Sequence, residues 1–146
     1  MDHAAVWTGR EMLVWGGRDG RRSFGDGAAY DPRADHWRPI AGRGASAVAA
    51  AWTGTRMLVW DAPSAGGRTT GALYDPVRDR WSPIARGPAL GADRSGPVWT
   101  GTQLVTWNGT GTGAITYAPA SNSWSTVPAG PLVRGTVRGG YGLGGP

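Results

Sequence analysis

Cysteine and lysine are absent from the 146 residues, and phenylalanine and glutamate occur once each, as Phe24 and Glu11. Without cysteine there is no disulfide framework and no thiolate metal site. Without lysine all 15 basic side chains are arginine, which together with the alanine and glycine load reads as GC-rich coding bias rather than selection for phosphate. The two histidines, His3 and His36, accompany no nucleophile motif, and no His/Asp cluster has the spacing of a metal site. A lone glutamate leaves a paired-carboxylate hydrolase only aspartates to draw on, most of which sit in turns. No run approaches the ~18 apolar residues of a membrane span. The amino terminus, MDHAAVWTG, has no basic start and no apolar stretch before a cleavage site. The compartment is left open. These absences argue against an enzyme, a metal, a cofactor and a membrane partner.

What is abundant is tryptophan, with nine residues, and glycine, with 26. AVWTGREMLVWGG at 5–17 is followed by AWTGTRMLVWD at 51–61 and VWTGTQLVTWNG at 98–109. A repeat on this scale decides the fold. Trp7, Trp52 and Trp99 fill one slot, 45 and 47 residues apart, and Trp15, Trp60 and Trp107 a second with the same intervals. Tyr30, Tyr74 and Tyr117 fill a third, and Trp37, Trp81 and Trp124 a fourth, each 44 and 43 apart. All nine tryptophans and all tyrosines but Tyr141 are placed by this frame.

Each unit reads as four short strands, in the first unit His3–Trp7, Glu11–Trp15, Gly27–Tyr30 and His36–Ile40. Thr8-Gly9 turns the first pair, with glycine supplying a positive φ. Met12-Leu13-Val14-Trp15 is apolar without alternation, as in a strand covered on both faces. Tyr30-Asp31-Pro32 ends the third strand, since proline cannot donate to a ladder and Asp closes an Asx turn. No window holds a 3.6-residue period across ten residues without Gly or Pro, which argues against helical repeats. A β-sandwich does not require four recurring slots. The pattern is all-β, a propeller segment of three four-stranded antiparallel blades forming an incomplete ring.

The unit resembles the Kelch repeat in its bacterial form, similar to the non-catalytic repeats of galactose-oxidase-like propellers. Trp15-Gly16-Gly17, the Tyr30-Asp31-Pro32 turn and Trp37 carry the resemblance, over about 3–129. The later copies depart from it, with Asp61-Ala62 and Asn108-Gly109 at the glycine pair and Tyr117-Ala118-Pro119 at the turn. The blades are expected at about 3–41, 47–85 and 95–128. A Gly-rich tail at 130–146 reads as the remnant of a fourth. The resemblance implies a copper site of tyrosines, histidines and a cysteine in galactose oxidase itself, which a chain without cysteine cannot build.

Propellers close with four to eight blades. Three blades imply a fragment of a longer propeller, a homodimer closing a six-bladed ring, or an open, marginal arc. The spacings from Trp7 to Met12 and from Tyr30 to Trp37 are constant in all three units, so those turns share one face. The other connections vary and share the opposite face, where recognition is expected, at about 17–27, 42–47, 61–71, 86–97 and 108–114. Candidate binding residues there are Arg18, Arg21, Arg22, Phe24, Arg68 and Arg94. Arginine forks suit carboxylate or phosphate, and Phe24 can pack on a partner. Asn108-Gly109-Thr110 matches a glycosylation sequon but is also ordinary turn chemistry. The net charge of +5 permits an anionic partner. Nucleic acid is not expected, because the aromatics belong to the repeat and the arginines are not striped. The expected role is a non-catalytic scaffold or binding module for a protein or glycan, with the non-catalytic part of a larger propeller enzyme as the alternative.

Overall fold

The computed structural model describes residues 3–44, 49–61, 68–88, 97–107 and 113–128. Their strands are β1 (Ala4–Trp7), β2 (Met12–Trp15), β3 (Arg18–Asp19), β4 (Arg22–Ser23), β5 (Gly27–Asp31), β6 (His36–Ile40), β7 (Ala49–Trp52), β8 (Met57–Asp61), β9 (Thr70–Asp75), β10 (Arg80–Pro83), β11 (Val98–Trp99), β12 (Leu104–Trp107), β13 (Gly113–Ala118) and β14 (Ser123–Pro128). They form three antiparallel four-stranded sheets, β1-β2-β5-β6, β7-β8-β9-β10 and β11-β12-β13-β14, and a separate β3-β4 hairpin. The first strands lie side by side, β1 against β7 and β7 against β11. Sheets stacked face to face about such a row of inner strands are blades, and the described residues form an arc of a β-propeller.

The first hairpin of each blade is built by Thr-Gly. Trp7 pairs with Met12, so the loop runs over four residues, 8–11, rather than as a two-residue turn. Thr8 closes it, its hydroxyl donating to the Glu11 carbonyl at 3.0 Å and accepting from the Glu11 N–H at 2.8 Å. Thr53 with Arg56 and Thr100 with Gln103 repeat the arrangement. Gly9, Gly54 and Gly101 have φ of 94°, 92° and 98°, a region open to glycine.

The register sorts the aromatic slots onto two faces. Trp7, Met12, Tyr30 and Trp37 lie across the four strands of blade 1 as one row. Trp52, Met57, Tyr74 and Trp81 form the same row in blade 2, and Trp99, Leu104, Tyr117 and Trp124 in blade 3. We call this the backward row. The forward row, on the other face, is Ala4, Trp15, Gly27 and Ile40 in blade 1. Successive side chains alternate across a strand, so Met57 and Val59 point toward blade 1 while Leu58 and Trp60 point toward blade 3.

Forward packs on backward. Leu13, Trp15, Ala29 and Ile40 of blade 1 meet Met57, Val59, Ala72 and Tyr74 of blade 2, with Trp52 and Trp81 against them. Leu58, Trp60, Leu73 and Ile84 meet Leu104, Ile115 and Tyr117 of blade 3, with Trp99 and Trp124. The middle blade is therefore covered on both sides, and all of Met57-Leu58-Val59-Trp60 is buried. In blade 1 the same run is buried only at Leu13 and Trp15, because among the described residues no sheet lies behind Met12 and Val14.

Candidate binding face

The variable connections lie on the face opposite the Thr-Gly loops, since strands alternate in direction. They brace one another within blades 1 and 2. In blade 1 the Gly25 carbonyl accepts the N–H groups of Arg43 at 3.2 Å and Gly44 at 3.1 Å. In blade 2 the Pro88 carbonyl accepts both the N–H and the hydroxyl of Thr69, at 3.3 and 2.9 Å, and Gly87 N–H donates to the Thr69 carbonyl. The loop after the second strand and the linker after the fourth are thus one joined surface.

The blade 1 loop is more ordered than its composition implies. GRDGRRSFGDG carries the β3-β4 hairpin, with Arg18 opposite Ser23 and Asp19 opposite Arg22. Gly20, at φ 55°, forms its tip beside Arg21. The base is fastened by Phe24 N–H to the Gly17 carbonyl at 3.0 Å and Gly16 N–H to the Asp26 carbonyl at 2.9 Å. Arg18, Arg21 and Arg22 are all exposed. The structure brings Arg22 and Phe24 together, the guanidinium carbon 5.6 Å from the ring centroid. That ring face is already covered by a cation. Arg68 is exposed where the blade 2 loop rejoins the sheet. Arg94, Asn108, 45–47, 62–67, 89–96, 108–112 and the 130–146 tail lie outside the described residues. Among the described residues no three His, Cys, Asp or Glu side chains gather as a metal site.

The sequence reading missed a cluster between the blades. Tyr74 donates its hydroxyl to Asp79 Oδ1 at 2.6 Å, and that same oxygen accepts the N–H of Ala41, in the preceding linker, at 2.9 Å. Trp81 Nε1 donates to the carbonyl of Ala41 at 2.7 Å. One blade therefore grips both polar groups of a single residue of the blade before it. Blade 3 repeats the clamp with Tyr117, Asn122 and Trp124 on Ala85, at 2.8, 2.7 and 2.8 Å. Asp35, Asp79 and Asn122 have φ of 46°, 48° and 48°, a left-handed conformation that Asp and Asn tolerate. Asp31 and Asp75 hold the turns as Asx acceptors, from Arg33 N–H and from Val77 and Arg78 N–H. The signal was Trp-x-Pro-Ile-Ala at 37–41 and 81–85, with Asp or Asn always five residues after the tyrosine.

Burial first, and then the Asp79 hydrogen bond, pushes the Tyr74 hydroxyl up to about 12. Burial does the same for Tyr117, also to about 12. Hydrogen bonds from Tyr74 and then from Ala41 hold the Asp79 carboxyl below its ordinary value of 3.8. Glu11, placed by sequence only beside a turn, forms a two-pronged pair with Arg38 at 2.8 and 3.2 Å. That hydrogen bond keeps Arg38 firmly charged.

No family model matches the chain, and no curated protein matches it. Solved structures do match it. YjhT aligns with a TM-score of 0.61 and 14% identity, over 90% of this chain and 52% of its own. The likeness shows the fold, and the chain spans about half the length of that neighbour.

Proposed function

We propose that this chain is a non-catalytic, Kelch-like scaffold that binds a carboxylate- or phosphate-bearing protein or glycan on its variable-loop face. The observation that carries the reading is the β3-β4 hairpin, which presents Arg18, Arg21 and Arg22 to solvent on a ladder tied down at its base. Arginine forks held on a rigid support lose less freedom on binding than those of a flexible loop. Arg68 extends the same face in blade 2, and Arg94 belongs to the adjoining connection in sequence. Trp15-Gly16-Gly17 in blade 1, Tyr-Asp-Pro in blades 1 and 2 and the fourth-strand tryptophan in all three support the Kelch-like assignment.

The test is binding to an array of acidic and neutral glycans and acidic peptides, with the R18A/R21A/R22A variant as partner. Expected is retention of acidic probes that weakens with salt and falls at least about tenfold in the variant, as the loss of charge-assisted pairs requires. The variant's stability stays within about 0.5 kcal/mol of the parent, as for exposed surface sites. Equal binding by parent and variant, or no binding by either, removes the hairpin as the site.

A second reading makes the chain the non-catalytic portion of a larger propeller enzyme of galactose-oxidase-like or carbohydrate-active type. It draws on the length relation, since the match extends over only 52% of YjhT.

A further inference from the structure

The backward row of blade 1 carries every part of a docking surface, and among the described residues no sheet packs on it. Tyr30 donates to Asp35 Oδ1 at 2.8 Å and stacks on Trp37 with ring centroids 4.9 Å apart. The two occupied clamps match it, with centroids 5.0 Å apart for Tyr74 and Trp81 and 4.9 Å for Tyr117 and Trp124. The difference lies in cover. Tyr74 and Tyr117 are fully buried where Tyr30 is half-buried, and Trp37 and Trp7 are 50% and 53% exposed where Trp81, Trp124, Trp52 and Trp99 are half-buried.

The matching surface is at the other end of the chain. Trp107, Ala114 and Val127 form the forward row of blade 3. Trp107, Val127 and the neighbouring Val98 are exposed. Five of the six exposed large apolar side chains among the described residues thus lie on the two end faces, the sixth being Val77. The joint these faces would make is already made twice inside the chain, forward row on backward row.

We propose that blade 3 of a second copy docks on the backward row of blade 1. Two chains then close a six-bladed ring through two equivalent contacts. Six blades fall within the range in which propellers close, and paired contacts of this kind satisfy two-fold symmetry. The clamp adds a specific signature. Four residues after the fourth-strand tryptophan stand Ala41, Ala85 and, in blade 3, Pro128. Pro128 has a carbonyl to accept the Trp37 N–H but no N–H to give Asp35. Each intermolecular clamp is therefore half made.

The experiment is molar mass by light scattering and sedimentation across concentration, on the full chain and on P128A, W37A, D35G and P128A/D35G. Circular dichroism checks that each is folded. Expected is a dimer of twice the 15.2 kDa chain. Restoring one hydrogen bond per clamp tightens it about fivefold per contact. P128A therefore dimerises about 25-fold more tightly, both clamps gaining. D35G cancels that gain, glycine keeping the positive φ, and W37A weakens the dimer. A monomer at every concentration overturns the proposal, and its cover then comes from further blades of a longer chain. A mass that climbs without limit, or a dimer indifferent to P128A and W37A, also overturns it.

Discussion

Gly71 stands where a single methyl group does not fit. A Cβ there would press on the Val59 carbonyl oxygen and lie 2.9 Å from Ile84 Cδ1 and 3.0 Å from Trp60 Cα. Gly27 is in the same position, opposite Trp15. At Gly27 the missing side chain makes room for the buried Trp15 indole, whose Cε3 would lie 2.7 Å from a Cβ there. G71A is expected to cost about 1–3 kcal/mol, the range for overpacking, seen as a lower denaturant midpoint with unchanged slope. Blade 3 carries Ala114 at this place, where its neighbours across the ladder, Trp107 and Val127, are both exposed. Asp79 gives a second test at this scale. Its carboxyl is depressed in the folded state, so its contribution is present above the unfolded value and lost as pH falls through the folded one. Stability should therefore decline below about pH 4. Asn122 does the same work in blade 3 without a charge. D79N should keep the acceptor and the left-handed turn, stay close to the parent at pH 7, and flatten the acid limb in pH-dependent denaturation.

At the scale of the element, the repeated Trp-Thr-Gly is a loop specification rather than a recognition motif. The threonine hydroxyl closes the loop in both directions, and the glycine supplies the positive φ. T53V removes the Thr53 hydroxyl bonds at 3.0 and 3.1 Å and is expected to cost about 1 kcal/mol, measured by chemical denaturation. Much of this was legible beforehand. The observed strands fall within a residue of those read from blade 1, because tight loops and Asx turns are local and their residues are adjacent in sequence. The β3-β4 hairpin was not foreseen. Its sequence lacks apolar alternation, and only its backbone ladder and the ties at Gly16, Gly17 and Asp26 define it.

For the whole molecule, stability resides in the joints between blades. Apolar burial dominates them, at about 1.5–3 kcal/mol for each large side chain covered. The clamp hydrogen bonds add about 1 kcal/mol each and fix the register of one blade on the next. W81F should cost about 1 kcal/mol by losing the 2.7 Å bond to Ala41 while keeping most of the packing. W37F, at the same slot with no blade behind it among the described residues, should leave monomer stability within about 0.5 kcal/mol of the parent. A denaturation comparison of the two separates an occupied clamp from an open one. High pH bears on the same joints. Tyr74 and Tyr117 remain neutral when folded up to about 12, so their share of stability is intact below pH 10 and lost as pH rises toward 12. The share of tyrosinate absorbance that belongs to Tyr74 and Tyr117, two of the four tyrosines, should rise together with unfolding rather than before it.

The sequence by itself determined the repeat, the four strands of each unit, the loop chemistry and the division into constant and variable connections. Those follow from spacing and from residues that act on their immediate neighbours. Tertiary structure alone decided which aromatic faces which way. Three of the four slots share one row and the fourth lies behind them, a consequence of strand register. It also decided that Asp79 and Trp81 close on Ala41, 38 and 40 residues away, and that Glu11 pairs with Arg38, 27 residues on. Such partners meet only when strands pair across a sheet and one sheet stacks on the next. The open clamp on blade 1 is legible for the same reason, since only the stacked blades show what its occupied counterparts hold.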